Sequence, residues 1–193
     1  DEDSSRRIFM MDSERDSIGV ALLSLGYSIN TTDPDELEAA KQKLLEQKPL
    51  VLAYTGDDVK DKMIAREGAL AVIWSCDIGI IREQDDTLAY AIPDAGTNVW
   101  YDAAVILKDA ENKANAEAFI NFLYDPEVSV KNYEYIGYND PNTKATSLHK
   151  KDFINDPMLK MAVDEIDKGE WLTDIGDAIT LYDKDWTELK TIK

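Results

Sequence analysis

Histidine and cysteine are almost missing from this chain: His149 and Cys76 are the only examples in 193 residues. A single cysteine excludes an internal disulfide and a cysteine-based zinc site, and a single histidine excludes histidine-pair metal sites. His149 falls in the polar stretch Ser147-Leu148-His149-Lys150-Lys151, which reads as a loop with a solvated ring. Glycine-rich phosphate cradles of the G-x-G-x-x-G and G-x-x-x-x-G-K kinds are absent, and so is a G-x-S-x-G nucleophile elbow. No apolar run reaches the ~18 residues of a membrane helix. The longest, around Gly68–Trp74, has the length of a strand. The start, Asp1 to Arg7, is polar throughout and does not read as a signal peptide, as a mature or trimmed chain would not. Basic residues are also scarce, 21 against 39 acidic ones, for a formal charge of −18. Such a field repels nucleic acid and anionic lipid and concentrates cations, so no nucleic-acid partner is expected.

What is present is an ordinary globular balance, 44% hydrophobic with 31% charged, enough for one domain or parts of two. Arg7 to Met11 reads as a strand, ended by Asp12-Ser13, either of which can cap a helix with Ile18, Ala21, Leu22 and Leu25 at helical spacing. Gly26 closes it. Ser13 and Asp16 share a face near its positive end. Asp33-Pro34-Asp35-Glu36 starts a second helix, with Asp33 as N-cap and Glu36 completing a capping box. Strands are expected at 49–54, 69–74 and 88–93, with helices over 57–66 and 75–83 between them. Strand, helix, strand, helix, strand indicates an α/β sheet, whose ligands bind at the carboxyl ends of the strands. Trp74 lies at such an end, before Ser75-Cys76-Asp77, which can cap the next helix. Further helices are expected over 113–124, 127–135, 156–168 and the tail from Ile175, with Tyr138 displayed on the loop 137–142.

The stretch Asn98-Val99-Trp100-Tyr101-Asp102-Ala103-Ala104-Val105-Ile106-Leu107 stands out. Its second half reads as a buried strand, and a period of two would put Trp100 and Asp102 on one face. A ring beside a carboxylate suits an organic cation; taken alone, these residues read more readily as a core tryptophan with an aspartate capping a turn. Catalysis would fall to carboxylates such as Asp16, Asp102 or Glu170, and nothing singles out a pair. Asp57, Asp58 and Asp61 lack the spacing and the bidentate glutamate of a calcium loop. They read as a solvated helix start.

Several stretches occur in order that together resemble one family. They are Met11-Asp12-Ser13-Glu14-Arg15-Asp16, Leu25-Gly26-Tyr27-Ser28-Ile29-Asn30-Thr31-Thr32-Asp33, Val72-Ile73-Trp74, Asn98-Val99-Trp100-Tyr101-Asp102, Ala118-Phe119-Ile120-Asn121-Phe122-Leu123, Tyr135-Ile136-Gly137-Tyr138 with Pro141-Asn142, and Gly169-Glu170-Trp171. The chain resembles, over essentially its whole length, the C-terminal portion of the spermidine/putrescine-binding proteins of ABC transporters. That resemblance implies a periplasmic-binding-protein-like (type II) α/β fold with three α/β/α layers. It assigns residues 1–93 to a second lobe, 94–135 to a first lobe and 136–193 to the second again, with the N-terminal part of the first lobe absent. It implies a receptor in the periplasm or on the outer face of the membrane. Its partners would be a polyamine and an ABC permease, with no cofactor, no metal and no catalysis. It implies ligand contacts at Trp74, Trp100, Asp102 and Tyr138. Asp16 replaces a family carboxylate, Ser13 stands where an acid is usual, and Leu172 replaces an amide. The alternatives are a receptor for another organic cation or metal, and a carboxylate-based hydrolase.

Overall fold

The computed structural model describes residues 7–164 and 166–192. The described chain forms two compact units, residues 7–100 with 166–192, and residues 101–164.

The first unit is built on a parallel sheet of β1 (Ile8–Met11), β2 (Val51–Thr55) and β3 (Leu70–Ala71), with β1 in the middle. The central position explains why Phe9, Met10 and Met11 are all buried. Because successive side chains point to opposite faces, Phe9 and Met10 seed two separate cores. Met10 packs with Ile18, Ala21 and Leu22 of α1 (Glu14–Ser24), Leu37, Ala40 and Leu44 of α2 (Pro34–Gln47), and Tyr182 and Leu189 of α9 (Ile179–Thr191). Phe9 packs on the other face with Val59 and Met63 of α3 (Val59–Ile64) and Ile81 of α4 (Ser75–Gln84). Helices on both faces of a parallel sheet make the three α/β/α layers.

Local chemistry sets the helix ends. The Asp33 carboxylate accepts from the Asp35 N–H at 2.8 Å, as an N-cap should. The capping box does not close, because Glu36 takes the Thr31 hydroxyl at 2.5 Å instead of reaching back to Asp33. Lys41, buried between α2 and α9, meets Glu38 at 2.7 Å, Glu188 at 2.8 Å and Asp185 at 3.1 Å. Those partners push its ammonium pKa up.

A second ladder, β4 (Thr97–Val99) on β5 (Gly169–Trp171), is also parallel, with Asn98 opposite Glu170. Gly169 is required there: a Cβ would lie 2.2 Å from the Val99 side chain. The strand expected over 69–74 shortens to Leu70–Ala71; Val72 adds one bond to Phe9 at 3.0 Å before the chain turns into α4. No strand forms over 88–93, where Leu88 fills the α3–α4 core from an irregular segment. An apolar alternation fits an extended loop as well as a strand.

Unit 101–164 holds α5 (Lys113–Leu123), α6 (Pro126–Ile136), α7 (Lys151–Ile154) and α8 (Pro157–Asp164). The buried strand expected over 100–107 is not there: those residues are irregular, and Val105 and Leu107 are 79% and 78% exposed. A strand needs a neighbour for its backbone groups, and among the described residues of this unit there is no strand to provide one. Trp100 and Asp102 therefore do not share a strand face. His149 also departs from expectation: its side chain is 3% exposed, held between the carboxylates of Glu134 and Asp140.

Candidate functional site

Parallel strands β1 and β3 deliver their carboxyl ends to one edge of the sheet, and the candidate residues of the first unit follow those ends. Ser13 comes two residues after β1, as the extended N-cap of α1; its side chain makes no capping bond, and its carbonyl takes the Ser17 N–H at 2.9 Å. Asp16 lies in the first turn of α1, where the positive helix end favours a carboxylate. One of its oxygens accepts a hydrogen bond from the side-chain amide of Asn98 on β4. Its other oxygen takes no hydrogen bond among the described residues. Trp74, half-buried, is the extended N-cap of α4, three residues after β3. Trp100, also half-buried, comes directly after β4 and thus two residues from the Asn98 that ties β4 to α1.

Asp102 and Tyr138 belong to the other unit. Asp102 is exposed in the irregular segment after Trp100. Within that unit it is one of the charges that, after burial, raise the pKa of Tyr133 on α6. Tyr138, half-buried, follows Gly137, which ends α6 in the left-handed conformation (φ 78°) that glycine adopts most readily.

Two residues that sequence reasoning passed over join the first group. Asn98 heads the stretch singled out in the sequence, yet only the structure shows its amide on Asp16. Asp77, in the first turn of α4 beside Trp74, is buried. One of its oxygens accepts from Lys60 at 2.9 Å, and the second takes no hydrogen bond among the described residues. That contact raises the Lys60 pKa. Its sequence signal, an acid in a helix first turn, is shared by every well-capped helix.

Glu170, a nominal acid or base, is tied up in a structural network. It accepts from the Ser28 hydroxyl, from the Ile29 N–H at 2.9 Å and from the Asn30 amide at 3.0 Å. Asn30 in turn donates to the Trp171 carbonyl at 2.8 Å and accepts from the Thr173 N–H at 2.9 Å. Glu170 thus pins the loop 28–30 to β5 through three hydrogen bonds. Among the described residues no group of three histidine, cysteine or acidic side chains could hold a metal ion.

Residues 4–161 match the sequence model of the bacterial extracellular solute-binding proteins. The chain belongs to that family. It is 36% identical over 183 residues to the spermidine/putrescine-binding periplasmic protein of Salmonella typhimurium, covering 95% of this chain and 53% of that protein. A solved Listeria monocytogenes structure, assigned to a spermidine/putrescine ABC transporter, superposes with a TM-score of 0.92 at 35% identity. That likeness covers 99% of this chain and 59% of the Listeria chain. The spermidine/putrescine ABC transporter substrate-binding protein of Streptococcus pneumoniae gives 0.78 at 31% identity, covering 98% and 59%. The chain therefore spans about half the length of the curated relatives it matches, and its α/β fold is periplasmic-binding-protein-like.

Proposed function

We propose that this chain is part of an extracytoplasmic receptor that binds a polyamine, spermidine or putrescine, without chemistry and passes it to the permease of an ABC importer. The observation that carries the reading is likeness along 95% of the chain to a protein named for binding those two amines. The chemistry of the candidate residues supports it. A polyamine is a methylene chain with ammonium groups at fixed intervals. Trp74, Trp100 and Tyr138 offer faces to the methylenes and cation–π contacts of roughly 0.5–2 kcal/mol each. Asp16 and Asp102 offer charge-assisted bonds of roughly 1.5–3 kcal/mol each. Ser13 offers a weaker hydroxyl. Residues 1–93 and 136–193 are assigned to the second lobe of the receptor, and 94–135 to a first lobe.

The test is calorimetry on the receptor. Heat of binding with spermidine or putrescine is the expected result; none with any polyamine, but binding of a sugar or amino acid, would overturn the reading. Asp102→Asn is expected to weaken binding at least tenfold, about 1.4 kcal/mol. An unchanged dissociation constant would remove Asp102 from the ligand contacts.

A further inference from the structure

The sole histidine sits in a polar cluster that the binding site does not use. Asp140, on the loop after α6, accepts the Ser129 hydroxyl of α6 at 2.8 Å and 3.0 Å, and the Asn142 N–H at 2.8 Å. Its Oδ2 lies 3.1 Å from His149 Nε2. On the other side of the ring, Nδ1 lies 3.5 Å from Glu134 Oε1 of α6, buried and without a hydrogen-bond partner. Glu134 also accepts the Lys150 N–H at 2.7 Å and faces the Lys150 ammonium at 3.0 Å. The ring stacks on Phe153 of α7, with centroids 4.7 Å apart.

Both ring nitrogens thus face carboxylates, which in their ionised form only accept. A neutral imidazole has one N–H: given to Asp140, it leaves the Nδ1 lone pair against a carboxylate oxygen. An imidazolium donates in both directions. We propose that protonation of His149 shuts a clasp that fixes the loop 137–150, and with it Tyr138, onto α6.

The charged and titratable groups around the ring favour that sign. From α6 comes Glu134; the phenol of Tyr133, beside Asp140 and not against the ring, is kept neutral by burial and by that carboxylate. From the loop come Asp140 and Lys150, and from α7 the uncharged ring of Phe153. Two carboxylates against one ammonium leave room for a second cation. The hydrogen bonds from Lys150 hold the Glu134 carboxyl below its usual range, so it stays charged where a histidine gains its second proton. The link from the clasp to amine binding rests on the proposed role of Tyr138.

Because the chain has one histidine, long-range 1H–15N spectra read its ring without ambiguity. The experiment follows that ring and the amide-exchange protection of residues 137–150 in the same samples from roughly pH 5 to 9. Protection is expected to rise about tenfold as the ring gains its second proton, the effect of one charge-assisted hydrogen bond. His149→Asn should abolish that step. A ring that keeps one protonation state across the range, or that titrates while protection stays flat, overturns the clasp. In the receptor, spermidine affinity should follow the same midpoint. A loop step without any polyamine binding would leave the clasp standing and overturn the receptor reading instead.

Discussion

In residues 7–100 and 166–192, Met10, Leu22, Leu37, Leu44, Tyr182 and Leu189 meet over one face of a sheet, with a second apolar cluster around Phe9 on the other. In residues 101–164 the buried residues among the described ones are Ser129, Ala145 and His149. There, the aromatic face of α5 is open instead: Phe119 and Phe122 stack 6.4 Å apart, 60% and 56% exposed. Both units have helices of similar apolar pattern, so the pattern does not decide which kind of interior results. The sheet does. It provides a flat apolar floor on both sides in one unit, and nothing replaces it in the other, where a histidine and two carboxylates hold a loop to a helix.

If that contrast is right, core truncation should act most strongly on the first unit. Leu22→Ala removes a fully buried side chain from the α1–α2–α9 core and should cost about 2–5 kcal/mol in chemical denaturation. A loss near zero would mean the apolar core is not what holds that unit. The second expected effect is on acid sensitivity. Lys150 lowers the Glu134 pKa in the folded chain, so the stability this adds is full above the ordinary glutamate value and is lost as pH falls through the lowered one. Protection of 137–150 should therefore decline again in acid, and Glu134→Gln should flatten that decline. The smallest effect is expected at α5. Phe119→Ala should change stability by no more than about 0.5 kcal/mol, because its ring is mostly exposed. A core-sized loss there would break the comparison.

How much was legible follows the same division. Asp33-Pro34 announced α2, since a capping acid before proline is local chemistry; the structure shows the same device at α6, where the Asp125 carboxylate before Pro126 accepts from the Glu127 N–H at 3.0 Å. The apolar run of β1 was equally clear because a central strand is buried on both faces. Residues 100–107 misled for the complementary reason. Their composition is that of a buried strand, but strand formation depends on a partner that composition does not name. His149 misled because its sequence neighbours are polar, while its burial depends on Glu134 and Asp140, 15 and 9 residues earlier in the chain. For the proposed site, Trp74, Trp100, Asp102 and Tyr138 were nominated from the order of stretches that resemble one family. The tie between Asp16 and Asn98, 82 residues apart, could not.

The placement of the tryptophans has a practical consequence. All four, at positions 74, 100, 171 and 186, lie in the unit with the sheet. Trp186 packs edge-on against Tyr54 with ring centroids 5.4 Å apart. Indole emission therefore reports one unit, and the lone imidazole resonance reports the other. The chain carries two intrinsic labels of different colour, so whether its halves melt as one cooperative body can be read without adding a probe.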